Sequence, residues 1–391
     1  MSVTAPLGFR AAGVTAGLKE SGDRDVAVVI NDGPSRAAAA VFTSNRVQAA
    51  PVKWTRQVVS GGRVRAVVLN SGGANACTGA PGFGDTHATA ERLGGALDDS
   101  AGEMAVCSTG LIGERLPMDK LLPAVDAAVA EADRSGGVHA ADAIRTTDTV
   151  VKIAFRRCAS PGPEGPQAYV IGGMAKGAAM LAPALATMLA VVTTDADLTP
   201  EELDGALRSA TAVTFDRLDT DGCMSTNDTV LLMASGASGV KPDRKDFTRA
   251  LTEVCADLAR QMQLDAEGAS KMISIEVVGA ASEADAVTVG RSVARNNLLK
   301  CAIAGSDPNW GRVLSAVGTT DAVFDPDRLN VAINGTWVCR GGAPGDDRSK
   351  VNLSGRDVTI TVDLSAGSSA ATIATTDLTE AYVHENSAYS T

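Results

Sequence analysis

Residues 182–194 read APALATMLAVVTT, and the second half of this stretch carries the clearest indication of fold class. MLAVVTT (188–194) is a short run of apolar and β-branched residues, which is typical of a buried strand. It is followed by Thr199-Pro-Glu-Glu202, a capping box with proline in the first turn of a helix. A buried strand that leads directly into a capped helix indicates an α/β chain.

Strand and helix patterns alternate along the rest of the sequence. Strands are predicted at 25–31, 37–43, 64–70, 103–109, 188–194, 271–279, 329–334, 357–364 and 369–376. Helices are predicted at 87–97, 118–130 and 246–264, the last from apolar residues that recur every three or four positions. The glycine-rich segment 172–177 is predicted as a turn and 158–167 as a surface loop. The whole is a mixed α/β chain without repeats and without an obvious domain boundary.

Composition and charge narrow the classes of function. The chain has 391 residues, 45% of them apolar and only 3% aromatic, so its core is built mostly from Ala, Val and Leu. A net charge of −11 argues against nonspecific nucleic-acid binding. Seven scattered cysteines without a CxxC pair, and an N-terminus without a signal-peptide pattern, lead us to expect a cytoplasmic protein. The apolar run 180–192 is too short to span a membrane.

Phosphate, metal and histidine chemistry are poorly supported. GGMAKG (172–177) places Lys176 before the last glycine, whereas a phosphate-binding P-loop has lysine after it. The three histidines stand at no metal-binding spacing, and no GxSxG motif supports a Ser-His-Asp triad. The acidic segment 219–229 lacks the glutamate that closes a calcium loop. We therefore predict no metal site, and an acyl-transfer reaction would have to proceed without histidine.

Thr187 has two interpretations. It fits a buried strand, and on the residues alone this interpretation is favoured. A threonine hydroxyl becomes a nucleophile only with a base beside it, and a cut directly before Thr187 would supply its own α-amine as that base. Such an amine titrates at about 7.7–8.0. The small side chain of Ala186 leaves room for the hydroxyl to attack the Ala186 carbonyl and so to make the cut.

The segment CSTGLIG (107–113) follows a strand with Ser-Thr-Gly. Backbone N–H groups and a hydroxyl at such a turn can bind an oxyanion, although an ordinary turn is favoured on the residues alone. The hydroxyl-, Asp- and Asn-rich segments 145–149, 219–229 and 306–312 are typical of loops whose side chains cap the backbone.

Together these segments resemble a known family. Eight motifs occur in the order NSGGANACTG (70–79), CSTGLIG (107–113), TTDT (146–149), MAKGAAMLAPALATML (174–189), DTDGCMSTNDT (219–229), AEGASK (266–271), SDPNWGR (306–312) and NSAYST (386–391). They resemble the glutamate N-acetyltransferases, also called ornithine acetyltransferases, of arginine biosynthesis. The resemblance covers essentially the whole chain.

The resemblance implies packed β-sheets with helical layers and an N-terminal threonine nucleophile formed by self-cleavage. The cut would fall between Ala186 and Thr187. It would give an alpha chain, 1–186, and a beta chain, 187–391, which are interwound rather than independent domains. Two alpha and two beta chains would form a heterotetramer.

The implied reaction is ping-pong transfer of acetyl from N2-acetyl-L-ornithine to L-glutamate, without a metal or bound cofactor. Thr187 would carry the acetyl group, and Thr109 and Gly110 would form the oxyanion hole. The implied substrate-binding residues are Thr146, Thr147, Lys176, Thr187, Glu267, Asn386 and Thr391. Lys176 would hold a carboxylate and Glu267 an ammonium group. Without the resemblance, Lys176 is a solvated turn lysine and Glu267 a helix-end cap.

Three alternatives stay open at this point. Acetyl-CoA is a further co-substrate if the chain also acetylates glutamate directly. A related self-cleaving aminopeptidase or amidase would use water as the acyl acceptor. An uncleaved, catalytically silent amino-acid-binding protein would do no chemistry.

Overall fold

A computed structural model describes residues 2–162, 165–181 and 188–388. The described strands are β1 (Phe9–Val14), β2 (Val26–Asn31), β3 (Ala37–Phe42), β4 (Ala66–Asn70), β5 (Met104–Ser108), β6 (Lys152–Ser160), β7 (Gln167–Lys176), β8 (Leu189–Thr194), β9 (Thr229–Ala234), β10 (Met272–Ala280), β11 (Asn330–Ile333), β12 (Thr336–Arg340), β13 (Ala343–Pro344), β14 (Asp357–Asp363) and β15 (Ser369–Thr376). The described helices are α1 (Ala50–Val59), α2 (Gly79–Ala96), α3 (Met118–Glu131), α4 (Gly137–Ala143), α5 (Pro200–Ala212), α6 (Arg244–Leu264), α7 (Glu283–Ala294), α8 (Asn297–Ala304), α9 (Trp310–Val317) and α10 (Glu380–Ala388).

The first sheet has the strand order β1-β2-β4-β5. Its β4 and β5 are parallel and in register from Ala66–Met104 to Asn70–Ser108, so their carboxyl ends lie side by side. Both strands are buried along their full length, which explains why they read as continuous apolar runs. Helices α2 and α3 pack on this sheet.

The second sheet has the order β3-β9-β8-β7-β6 and forms a packed layer beside the first. Alternate residues of β8 point to opposite faces: Leu189 and Val191 join the core shared with the first sheet, whereas Ala190 and Val192 face α5 and α6. Burial of both faces accounts for the unbroken apolar run that the sequence shows here. The predicted fold of packed sheets with helical layers is confirmed.

The third sheet, β13-β12-β11-β14-β10-β15, builds a core of its own with α7 and α9. It joins the second sheet's helices through Gln263 of α6, whose Nε2 donates to the Thr375 carbonyl over 2.8 Å. The N–H of Asp219 also donates to the Ala374 carbonyl over 2.8 Å. The first contact holds the end of α6 against β15, and the second holds the segment after α5 against the same strand.

Most predicted elements are confirmed. Every predicted strand is present with bounds shifted by no more than two residues. The predicted capping box is formed: the Thr199 hydroxyl accepts from the Glu202 N–H, and the Glu202 carboxylate accepts from the Thr199 N–H. Helix α6 begins two residues earlier than predicted because Asp243 caps it.

Three local predictions are wrong. The helix predicted at 87–97 already begins at Gly79, because glycines in its first turns hid the helical pattern. The predicted loop 158–167 is a tighter connection, since Ser160 pairs with Gln167 at the ends of β6 and β7. The predicted turn at 172–177 is strand β7 as far as Lys176. Its glycine at 172 serves close packing, because a Cβ there would lie 2.1 Å from the Ser2 carbonyl oxygen.

No helix among the described residues is both long and apolar enough to cross a membrane.

Candidate functional site

A cavity of about 340 Å³ opens where the carboxyl ends of β4, β5 and β7 meet the segment that precedes β9. It brings together seven of the predicted site residues from five separate segments of the chain. These are Thr109, Gly110, Thr146, Thr147, Lys176, Glu267 and Asn386. The other predicted residues, Thr187 with its cleavage partner Ala186, and Thr391, lie outside the described residues. A cleft at the carboxyl ends of parallel strands is a common position for a ligand site in α/β proteins.

Thr109 and Gly110 follow β5 and are locked to the loop that follows β4. The Thr109 N–H donates to the Asn70 carbonyl over 3.0 Å, and the Gly73 N–H donates to the Thr109 carbonyl over 3.0 Å. Gly110 has φ +130°, and a Cβ there would lie 2.8 Å from the Gly73 nitrogen, so only glycine fits. The Gly110 N–H donates to none of the described residues. The Gly110 N–H and the Thr109 hydroxyl are therefore able to donate to a ligand in the cavity.

Lys176 is the last residue of β7, and its side chain is buried with 2% exposure. Its ammonium donates to the Thr109 hydroxyl over 3.3 Å. The interpretation as a solvated turn lysine is therefore wrong. Burial lowers the pKa of Lys176, while the nearby carboxylate of Asp148 acts in the opposite direction.

The Thr146–Thr147 segment is held beside Lys176 by Asp148. One carboxylate oxygen of Asp148 accepts from the Thr146 N–H over 3.1 Å, and the other accepts from the Gly177 N–H over 2.7 Å. Burial raises the pKa of Asp148, but the charges of Lys176 and Lys152 outweigh burial and leave this pKa below its usual value. The carboxylate is therefore ionised at neutral pH.

Glu267 and Asn386 form another wall of the cavity. Glu267 lies beyond the end of α6, and its N–H donates to the Ala178 carbonyl over 2.9 Å, so it is not a helix-end cap. Its carboxylate accepts from the Asn386 amide over 2.9 Å. The cavity thus holds a buried cation on one wall and a carboxylate with an amide on the other. This arrangement suits a ligand that carries both an ammonium group and a carboxylate.

The model of the ArgJ family matches residues 10–391. The chain belongs to the ArgJ family. Among its ArgJ relatives, the arginine biosynthesis bifunctional protein ArgJ of Thermobifida fusca (strain YX) is 73% identical over 391 residues, which is 100% of both chains. The protein of the same name from Streptomyces coelicolor (strain ATCC BAA-471 / A3(2) / M145) is 64% identical over 390 residues, also 100% of both. A solved ornithine acetyltransferase from Mycobacterium tuberculosis, complexed with ornithine, is 56% identical with a TM-score of 0.42, over 48% of this chain and 96% of that one.

Three polar residues of this ArgJ chain's site were not predicted from the sequence, where 219–229 has the pattern of a self-capping loop. Ser225, Thr226 and Asn227 line the cavity. The Asn227 amide donates over 2.7 Å to both the Ala74 and the Ser108 carbonyls, so it ties the loops after β4 and β5 together. Only the long-range contacts distinguish this tether from an ordinary loop asparagine.

Asp228 of the ArgJ chain is a further buried residue near the site that was not predicted from the sequence. One carboxyl oxygen accepts from the Met188 N–H over 3.0 Å, and the other has no partner among the described residues. Burial raises the pKa of Asp228 well above its usual value. Met188 directly follows Thr187 in the chain. The carboxyl group of Asp228 is therefore hydrogen-bonded to the N–H group of the residue next to Thr187.

Proposed function

We propose that this ArgJ-family enzyme of arginine biosynthesis transfers acetyl from N2-acetyl-L-ornithine to L-glutamate, with Thr187 as the acetyl carrier. The observation that carries the proposal is the cavity itself. It combines two oxyanion donors, at Thr109 and Gly110, with the Lys176 ammonium and the Glu267 carboxylate. Such a cavity would hold a molecule with opposite charges beside groups that can stabilise a tetrahedral oxyanion.

Self-cleavage would come first. The Thr187 hydroxyl attacks the Ala186 carbonyl, the acyl group moves from nitrogen to oxygen, and water hydrolyses the resulting ester. The products are an alpha chain, 1–186, that ends in a carboxylate and a beta chain, 187–391, that begins with a free α-amine. The sheet can survive this cut because β7 and β8 pair in register from Ile171–Thr194 to Lys176–Leu189. A strand of the first part, β3, also pairs with β9 of the second.

Acetyl transfer then takes two half-reactions. The α-amine of Thr187 accepts the hydroxyl proton while the oxygen attacks the acetyl carbonyl of acetylornithine. The Gly110 N–H and the Thr109 hydroxyl stabilise the oxyanion, and collapse of the tetrahedral intermediate passes the proton to the departing ornithine amine. In the second half-reaction the neutral amine of glutamate attacks the acetyl-threonine ester in the same way. The acetyl group stays on Thr187 between the steps, so the proposed reaction requires no metal or bound cofactor.

The test is an assay with acetylornithine and glutamate that measures each product separately. Formation of ornithine and N-acetylglutamate in equal amounts supports the proposal. Release of free acetate without acetylglutamate would instead make water the acceptor and the chain an amidase.

A second activity is proposed with acetyl-CoA as co-substrate, since the relatives are named bifunctional. Labelled acetyl-CoA incubated with glutamate alone is expected to give labelled N-acetylglutamate. A Thr187→Ala variant provides the matched control. Absence of label in the wild-type product would limit the enzyme to transfer from acetylornithine.

We also propose that two alpha and two beta chains assemble and that the enzyme works in the cytoplasm. The assembly rests on the resemblance, and native mass spectrometry would test it. The location is supported by the cysteines, since all seven lie in the described ranges as free thiols.

Thr109→Ala is expected to lower kcat for transfer about a hundredfold, with a smaller change in KM, because an oxyanion donor acts on charge that develops in the transition state. Thr109→Ser keeps the hydroxyl and is the matched control. Steady-state kinetics with both substrates provide the measurement. An unchanged kcat with a much higher KM would make Thr109 a ground-state binding residue.

Glu267→Gln is expected to raise the KM for acetylornithine about tenfold, because a hydrogen bond to a charged group contributes about 1.5–3 kcal/mol. The amide keeps the shape of the side chain and removes its charge. Glu385→Gln makes the same change at another residue of the cavity and is the control. Equal effects of the two variants would show that only the overall charge of the cavity matters.

A further inference from the structure

Asp148 is a buried carboxylate next to the cavity that does not line it. Its Oδ1 accepts from the Lys152 ammonium over 2.6 Å and from the Gly177 N–H over 2.7 Å, and its Oδ2 accepts from the Thr146 N–H over 3.1 Å. Gly177 directly follows Lys176, and Thr146 directly precedes Thr147. One side chain therefore joins two walls of the cavity that lie about 30 residues apart in the chain.

Lys152 extends this connection to the wall that carries Glu267. Its fully buried ammonium is shared between Asp148 and Asp265, with 2.5 Å to Asp265 Oδ2. Asp265 also accepts from the Thr149 N–H over 2.9 Å. Asp265 stands two residues before Glu267, so the buried Asp148–Lys152–Asp265 network positions segments that belong to three walls.

Lys176 needs a counter-charge because its side chain is almost completely buried. Burial lowers the pKa of Lys176, and among the charges around it Asp148 raises this pKa most; Lys152 lowers it, and Asp228 and Glu267 raise it further. Burial raises the pKa of Asp228 well above its usual value, whereas the pKa of Asp148 lies below its usual value. Asp148, which is held in the same buried region by its bond to the Gly177 N–H, is therefore the carboxylate that most opposes the effect of burial on Lys176.

We propose that Asp148 is a positioning residue that supplies the counter-charge of Lys176 and holds the Thr146–Thr147 segment against it, so that the cavity presents a cation to the substrate carboxylate. This proposal rests on the proposed function of Lys176 as the group that binds that carboxylate. Asp148 acts through Lys176 and the backbone and does not touch the substrate.

The test is the pH dependence of KM in the Asp148→Asn variant. Loss of the carboxylate removes an influence that raises the pKa of Lys176, so Lys176 loses its proton at a lower pH. A neutral amine cannot pair with a carboxylate, and the KM for glutamate is therefore expected to begin its rise at lower pH than in the wild type. At pH 8 we expect KM to be at least about tenfold higher, with a smaller change in kcat. An unshifted KM–pH profile would overturn the proposal.

Asp265→Asn is the matched control. It removes the other carboxylate on Lys152 but leaves the bonds from Asp148 to Gly177 and Thr146 in place. Its KM–pH profile is expected to keep the wild-type position even if the variant is less stable. A displacement equal to that of Asp148→Asn would assign the effect to Lys152 and contradict a specific role for Asp148.

Lys176→Arg in the Asp148→Asn background gives an independent measure, because arginine stays charged without a counter-charge. It is expected to remove the pH dependence of KM.

If Asp148→Asn does not fold, Asp148→Glu is used instead. This variant keeps the charge and must keep the wild-type KM–pH profile, so a displaced profile would overturn the proposal. Failure of the wild type to form acetylglutamate would refute the proposed function, whereas an active wild type with an unshifted variant would refute only this inference.

Discussion

Thr187→Ala is expected to yield a single chain of 391 residues, 39.7 kDa, without transferase activity. The substitution removes one hydroxyl for which we propose two tasks, the attack on the Ala186 carbonyl and the acceptance of acetyl. It also prevents release of the α-amine that would act as base. A denaturing gel and the intact mass report cleavage, and formation of acetylglutamate reports transfer.

The serine variant separates the chemistry from the size of the side chain. Thr187→Ser keeps the hydroxyl, so we expect it to cleave and to turn over, though less well than the wild type. Two chains from the alanine variant would place the cut elsewhere. Full transfer activity in an uncleaved chain would show that the free α-amine is not needed.

The alanine variant should still fold, which makes its inactivity interpretable. The two future chains are joined by strand pairing in the second sheet, where β7 pairs with β8 and β3 pairs with β9, and by side-chain contacts such as that of Lys152 with Asp265. On the side of the future beta chain, these pairings are made by Leu189–Thr194 and Thr229–Ala234. A thermal transition similar to that of the uncut wild-type precursor would confirm that the loss is chemical.

The sequence allowed much of the fold to be predicted because several strands of the first two sheets are buried on both faces. Strands such as β4 and β8 therefore read as continuous apolar runs. The prediction from sequence was wrong where a glycine is required for close packing rather than for a turn. The glycine at 172 looks like a turn residue, and only the approach of the Ser2 carbonyl explains it.

The polar residues of the site were predictable only in part, for a related reason. Asp148 and Asn227 stand in segments whose composition is typical of self-capping loops. Their partners are distant in sequence. Asp148 accepts a hydrogen bond from the Gly177 N–H, and Asn227 donates hydrogen bonds to the Ala74 and Ser108 carbonyls. Without those contacts, a buried tether and a solvated cap have the same local pattern. The resemblance supplied the residues that are proposed to touch substrate, whereas the residues that support them emerged from the fold.

Deletion of residues 386–391 is expected to leave self-cleavage intact and to reduce transfer from acetylornithine to glutamate steeply. Chain ends are usually dispensable, but Asn386 lines the cavity and donates to Glu267 over 2.9 Å. The deletion takes away that amide together with Thr391, another residue proposed to bind substrate. Self-cleavage requires Thr187 and its surroundings, so the truncated protein should run as two chains on a denaturing gel while acetylglutamate production is lost.

Two narrower variants show which residue of the tail is responsible for the loss of transfer activity. Deletion of 389–391 removes Thr391 and keeps Asn386, whereas Asn386→Ala removes only the amide that contacts Glu267. If Asn386 orients Glu267 toward the substrate ammonium, the alanine variant should raise the KM for acetylornithine and add little effect in a Glu267→Gln background, because both changes weaken the same contact. Independent effects that multiply would assign Asn386 its own bond to the substrate. Near-full transfer by the protein that lacks 386–391 would mean that neither residue binds substrate.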